Sequence, residues 1–242
     1  MQTVGIICEY NPLHLGHQKQ FRAIRAAGGE AIVCLMSGNY VQRGAPAIID
    51  KSLRAKAAIL AGADLVLELP VTVALSSAEG FAAGGVEILG KFCDKLCFGA
   101  ETADDTLMST AKALLSEEFP PALRLRLEEG LSFPAARAAA LRDLGLDASV
   151  LDTPNNILAV EYCKAILSQN SKMKPAPLHR PGDYNDTLPD PDDPSATSVR
   201  KCIENGEDWL SYIPESAQKR LEDASVHALI YGERAVLSRL RT

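Results

Sequence analysis

Tryptophan occurs once in this 242-residue chain, and aromatic residues make up only 5% of it. That scarcity gives no run of exposed rings on which successive nucleic-acid bases stack; Tyr40, in a polar loop, is the candidate for taking a displaced base. Long apolar runs are absent too, the longest falling far short of a membrane span. No charged leader or cleavage pattern precedes the first strand-like segment, so a cytoplasmic protein with no membrane partner is expected. Positive charge is not in excess: 25 Lys and Arg stand against 31 Asp and Glu, for a net charge of −6. This argues against a sequence-blind nucleic-acid coat while leaving room for a local basic patch. No Cys-x-x-Cys pair exists among Cys8, Cys34, Cys93, Cys97, Cys163 and Cys202. These are read as reduced thiols acting as small apolar side chains.

What is present is apolar substance in short pieces. Hydrophobic residues make up 47% of the chain, enough for one large α/β domain or a domain with a helical appendage. Strands are predicted at Thr3–Cys8, Ala31–Met36, Asp64–Leu69 and Lys95–Phe98, continuous runs of the kind covered on both faces of a parallel sheet. Helices are predicted at about Gly16–Ala27, Asp50–Ala61 and Ser76–Lys91, with Gly28-Gly29 and Gly62 stopping the first two. From 102 to 170 the pattern is helical, with Pro120-Pro121, Pro134 and Pro154 at helix starts. Lys174–His179 reads as a fifth strand, which Pro175 and Pro177 demote to a sheet edge. The order implies an α/β, Rossmann-like doubly wound parallel sheet of about five strands, with a helical insertion and a helical C-terminal segment. An ATP-binding domain over 1–188 and a helical segment over 189–242 are the expected divisions. No internal repeat is found, and the oligomeric state stays open.

The chemistry concentrates after the first strand, in Gly5-Ile6-Ile7-Cys8-Glu9-Tyr10-Asn11-Pro12-Leu13-His14-Leu15-Gly16-His17-Gln18. Strand, tight loop and helix start is the context of an anion site: first-turn amides and the helix dipole favour phosphate, and Gly16 lets backbone come close. His14 and His17 can donate to charge developing in nucleotidyl transfer. The same spacing suits two metal ligands, but His179 and His227, the other histidines, have no cysteine or carboxylate at ligand spacing. A second cradle is the helix start Ser195-Ala196-Thr197-Ser198-Val199-Arg200. Ser195, Thr197 and Ser198 can donate to phosphate oxygens and Arg200 can pair with a phosphate; an ordinary N-cap with a solvated arginine is the plain alternative.

Together the His-x-Gly-His and Ser-x-Thr-x-x-Arg elements resemble the nucleotidyltransferase superfamily that shares the class I aminoacyl-tRNA synthetase core. Five longer blocks narrow this: the segment from Gly5 to His17, Met36–Gly44, Gly62–Pro70, Phe98-Gly99-Ala100-Glu101 and Pro154-Asn155-Asn156-Ile157-Leu158. They resemble the tRNA(Met) cytidine acetate ligase family. The resemblance implies that acetate attacks the α-phosphate of ATP with loss of pyrophosphate, and that the wobble cytidine amine of elongator tRNA(Met) then takes the acetyl group. It implies ATP contacts from the 5–18 segment, Gly99, Asn155 or Asn156, and Arg180, with His14, His17 and Arg200 catalytic. Mg2+ is expected alongside ATP, though no carboxylate pair identifies itself as its holder. Relative to that family the chain is short at its C-terminus, where a region that helps hold tRNA is expected.

Read from the residues alone, Gly99 is a strand-end or turn glycine, one asparagine caps a helix, and Arg180 is a loop cation. Ser37-Gly38-Asn39 and Gln42-Arg43-Gly44 form a polar loop suited to cover acetate or receive RNA. Arg43, Lys51, Arg54 and Lys56 are expected to form a basic stripe beside the ATP site, suited to the tRNA backbone. The alternatives are a small-metabolite nucleotidyltransferase and a non-catalytic nucleotide- or RNA-binding module.

Overall fold

Short apolar runs separated by amphipathic segments fold as parallel strands with covering helices. A computed structural model of the chain describes residues 1–180, 189–222, 224–227 and 238–239. The strands are β1 (Thr3–Cys8), β2 (Ala31–Ser37), β3 (Leu65–Leu69), β4 (Lys95–Ala100) and β5 (Lys174–His179), in one five-stranded sheet of order β3-β2-β1-β4-β5. β5 therefore lies at an edge, as its prolines require. The expected loop after Arg180 falls outside the described residues, as does most of the tail after 222.

The chain divides into two compact units, Met1–Ser77 with Asp183–Thr242, and Ala78–Gly182. In the first, β1 pairs with β2 from Thr3↔Ala31 to Cys8↔Met36, and β2 with β3 from Val33↔Leu65 to Ser37↔Leu69. The first unit also holds helices α1 (Leu15–Ala26), α2 (Lys51–Ala61) and α3 (Val71–Ala74). The C-cap Gly62 of α2 has φ +129°, a backbone that favours glycine, which is why α2 stops there. α1 turns Phe21 and Ile24 inward, and Ile32, Cys34 and Leu35 of β2 are fully buried.

In the second unit, α4 (Ala78–Leu89) is followed by β4 and then by α5 (Thr106–Leu114), α6 (Phe119–Glu128), α7 (Phe133–Asp143) and α8 (Pro154–Ser168) before β5 closes it. β4 and β5 pair in parallel from Lys95↔Lys174 to Ala100↔His179. α8 packs on α4 and α5, with Val160, Tyr162 and Cys163 buried. Its Glu161 is buried as well, held by Arg137 at 2.6 Å and Lys164 at 2.8 Å. Phe119, Ala140, Leu141 and Ala148 form a satellite cluster under α6 and α7. The first unit also holds α9 (Ala196–Asn205), stopped by Gly206 at φ +71°, and α10 (Glu215–Leu221), which packs on α2.

On β5, the amides of Lys174 and of Arg180 just beyond its end donate to Asp94 and Ala100 on the β4 side. The alternating positions are Pro175, Pro177 and His179, so both prolines stand where the backbone N–H would face away from β4. No helix among the described residues is long and apolar enough to cross a membrane.

Leu96 is fully buried in β4, whereas Leu65 on β3 is 45% exposed. In urea unfolding, Leu96→Ala is expected to lower stability by about 2–5 kcal/mol, and Leu65→Ala to stay within about 0.5 kcal/mol of the parent.

Candidate functional site

Between β1 and α1 the chain makes a tight, buried passage. Tyr10 lies at φ +45°, rare for a residue with a side chain, and is only 2% exposed. Its ring holds that turn, meeting His17 edge-on at 4.8 Å and Phe21 at 6.0 Å, with the hydroxyl 3.3 Å from Cys34 Sγ. Gly5, Ile6, Ile7 and Cys8 lie within β1, so the loop proper begins at Glu9.

His14 is the N-cap of α1. Its Nδ1 accepts from the Gly16 amide at 3.2 Å, and the His14 amide donates to His17 Nδ1 at 3.2 Å. An imidazole nitrogen that accepts carries no proton, so each neutral ring keeps its proton on Nε2. The rings lie 3.7 Å apart between centroids, tilted by 34°. The corner therefore holds two Nε2–H donors side by side. The Gly16 amide, expected from sequence to face an anion, is engaged by the His14 ring instead. A Cβ on Gly16 would come within 2.7 Å of Asp193 Oδ1 and 3.0 Å of His14 Cε1, so glycine is what lets these groups meet.

Two guanidiniums grip the loop by its carbonyls. Arg200 Nη1 donates to Asn11 O at 2.8 Å, and Nη2 donates to Thr197 Oγ1 at 3.0 Å. Arg54 donates through Nη1 to Glu9 O at 2.5 Å and Ser37 O at 3.2 Å, through Nε to Ile49 O at 2.9 Å, and through Nη2 to Gly38 O. Burial pulls the proton affinity of both guanidiniums down, and the nearby Glu9 pushes each back up. The β2–α2 loop is fastened to the same passage: Gln42 N donates to Glu9 Oε1 at 2.7 Å and Ile48 N to Asn11 Oδ1 at 2.8 Å. At its end of β2, Ser37 Oγ is buried and has no hydrogen-bond partner among the described residues.

The expected basic stripe does not form. Arg54 is only 1% exposed, its charge spent on strand-end carbonyls, and Lys51 is taken by Glu68 at 2.7 Å. Arg43 and Lys56 are the members left exposed. Arg54 lies in the first turn of α2, where the helix dipole disfavours a cation, and the strand-end carbonyl dipoles offset this. At α9, Ser195 and Ser198 form a reciprocal capping box, with Ser195 Oγ accepting from Ser198 N at 3.0 Å and the Ser198 hydroxyl fully buried. These hydroxyls cap the helix that carries Arg200, and Thr197 braces the guanidinium.

Within the second unit, Gly99 lies near the carboxyl end of β4, and the stem of Arg180 runs alongside it: a Cβ on Gly99 would meet Arg180 Cδ at 3.5 Å, ordinary contact. Nothing in the protein's own packing thus demands glycine at 99. Sequence reasoning passed over Glu101. Its carboxylate accepts from Thr153 Oγ1 at 2.7 Å, Asn155 Nδ2 at 2.9 Å and the Asn156 amide at 3.0 Å, so it caps α8 from outside. Asn156 is buried, with Oδ1 accepting from Thr102 N at 2.9 Å and Nδ2 facing Thr102 Oγ1 at 3.1 Å. Asn155 is half-buried. Among the described residues no group of three or more His, Cys, Asp or Glu side chains is placed to hold a metal ion.

Removing the Arg54 head would strand several strand-end carbonyls. Arg54→Met is expected to lower the unfolding free energy by about 2–4 kcal/mol, and Arg54→Lys to recover only part of this, as one ammonium cannot reach all four oxygens; urea titration checks both. Burial raises the Tyr10 hydroxyl and the Cys8 thiol well above their usual ranges. Groups raised in the folded state stabilise it fully below their unfolded pKa values. That contribution is lost as pH climbs from about 8.5 for the thiol and about 10 for the phenol towards the folded values. Alkaline unfolding followed by circular dichroism should therefore shift to lower pH in wild type than in Tyr10→Phe, whose ring cannot ionise.

The model of the HIGH nucleotidyl transferase family matches residues 1–240. The tRNA(Met) cytidine acetate ligase of Clostridium perfringens is 40% identical over 245 residues, covering 93% of this chain and 61% of that protein. The one from Caldanaerobacter subterraneus is 42% identical over 236 residues, covering 93% of this chain and 59% of its own. Among solved structures, Thermotoga maritima TmcAL bound with alpha-thio ATP superposes with a TM-score of 0.82 at 32% identity, covering 92% of this chain and 55% of that one. The chain thus spans little more than half to three fifths of the proteins it matches. On the extent and closeness of these matches, the chain belongs to the HIGH nucleotidyl transferase family.

Proposed function

We propose that this chain carries the ATP-dependent chemistry of a tRNA acetate ligase. Acetate attacks the α-phosphate of ATP, pyrophosphate leaves, and acetyl-adenylate forms. The exocyclic amine of the wobble cytidine in elongator tRNA(Met) then attacks the acetyl carbon, its proton is released, and AMP departs. Neither step needs a protein nucleophile; the demands are in-line placement and neutralisation of charge on the phosphates. The observation that carries this reading is the tautomer lock at the head of α1, which fixes two imidazole N–H donors beside each other. Arg200, bonded to the same loop, adds a cation.

For the acid, support comes from the polar loop after β2 and the partnerless Ser37 hydroxyl. For the nucleotide, the relatives' names and the ATP-analogue complex of the T. maritima protein support ATP. The 5–18 segment with Ser195, Thr197 and Ser198 in the first unit, and Gly99, Arg180 and an asparagine of α8 in the second, are its proposed contacts. Of the two asparagines Asn155 is favoured, because both amide atoms of Asn156 are committed to Thr102. Mg2+ would enter on the triphosphate, and no step here is routed through it. A cytoplasmic location and the division into a 1–188 ATP domain and a 189–242 helical segment belong to the same proposal.

The test is pyrophosphate release with ATP and a panel of small carboxylates, with AMP-linked acyl product identified by mass. Acetate-dependent release is the expected result; release that needs a phosphorylated metabolite instead would point to a small-metabolite nucleotidyltransferase, and ATP binding without release to a non-catalytic module. His17→Ala should lower turnover by roughly a hundredfold or more, as loss of a transition-state donor does. Gly99→Ala should leave the melting temperature unchanged and weaken ATP binding, because the added methyl makes only ordinary contact with the Arg180 stem and would crowd a bound nucleotide.

A further inference from the structure

The arrangement of Glu101 and Asn155 says more than that one of them touches a ligand. Asn155 is the second residue of α8, a position from which a polar side chain ordinarily turns back to its own helix start. Here that task is already done by Glu101, whose Oε2 takes both the Asn156 amide and the Thr153 hydroxyl. The remaining carboxylate oxygen, Oε1, takes Asn155 Nδ2 at 2.9 Å. A carboxylate only accepts, so the amide must present its NH2 to Glu101 and its oxygen must face elsewhere. No donor from the described residues reaches that oxygen, and the residue is half-buried. One N–H of Asn155 is thereby spent on Glu101 and the flip of its amide is fixed, which holds the oxygen on the opposite side as an acceptor.

We propose that Glu101 is a positioning residue that locks Asn155 as a hydrogen-bond acceptor for a donor group of the bound nucleoside, and so sets which nucleotides are taken. This deepens the ATP reading above and rests on it. The donors a nucleoside offers are the exocyclic amine of its base and its ribose hydroxyls, and both satisfy the same oxygen. An analogue lacking the donor leaves the Asn155 oxygen desolvated and unpaired, which is where discrimination arises.

The experiment measures binding of the chain to ATP, to purine riboside triphosphate (no exocyclic amine), to 2′-deoxy-ATP and to 3′-deoxy-ATP by calorimetry, for wild type, Glu101→Gln and Asn155→Ala. Wild type should bind one analogue roughly tenfold more weakly than ATP, the worth of one hydrogen bond left unmade, and which analogue this is identifies the donor. In Asn155→Ala that ratio should fall to near one. In Glu101→Gln, whose amide can accept from or donate to either end of Asn155, the ratio should also fall, while the melting temperature records any loss of helix capping separately. A purely structural role for Glu101 predicts that ATP and analogue weaken in parallel with the ratio kept, and that result overturns the proposal. Equal binding of all four nucleotides by wild type overturns it as well. Failure of wild type to bind ATP at all overturns this inference and the ATP reading together, whereas ATP binding with an unmoved ratio sinks only this one.

Discussion

Two arginines pulling on two carbonyls hold the passage between β1 and α1 in place. Glu9 O and Asn11 O lie two residues apart in the passage from β1 to α1, and each receives a guanidinium from a distant part of the chain, Arg54 and Arg200. A loop with a left-handed tyrosine has no reason of its own to stay folded as it is. Charge-assisted hydrogen bonds from one buried and one half-buried guanidinium supply that reason, because a carbonyl deprived of its donor away from water has little else to turn to. The consequence reaches His14 and His17 directly. Their mutual orientation depends on where the loop delivers the start of α1, and their tautomers depend on that orientation.

Much of this was readable from the chain. Four strands follow from short apolar runs, and Lys174–His179 reads as a fifth that its two prolines demote to a sheet edge, where the structure has it. The helix starts at Pro154 and Ser195 followed from capping chemistry. The His-x-Gly-His corner and the Ser195–Arg200 segment were singled out on residue type and context, and they converge on one loop. What could not be read was direction. Whether Arg54 faced solvent or the strand ends depended on a helical phase that Lys-Ser-Leu-Arg-Ala-Lys does not settle, since both faces carry a cation. Whether a capping residue belonged to its own helix or to a neighbouring strand was likewise hidden, because Glu101 and α8 are separated by some fifty residues.

The two asparagines illustrate the same point. Side by side in sequence they are equivalent; in the fold one is sealed by Thr102 and the other is turned by Glu101. The difference comes from α8 meeting the end of β4, a tertiary event with no local signature. The glycines divide the same way. Gly16 is fixed by its neighbours Asp193 and His14, while Gly99 has room for a methyl group, so only the first is accounted for by the protein's own packing.

The edge at β5 has a consequence for how the molecule behaves in a crowd. A bare strand edge invites a second chain to continue the ladder, the route to runaway association. Two of the three outward amide positions on β5 are occupied by Pro175 and Pro177, so an incoming strand would find acceptors there with almost nothing to donate in return. Replacing both prolines would leave the fold's internal ladder intact and open a seam along which neighbouring molecules could stitch themselves together.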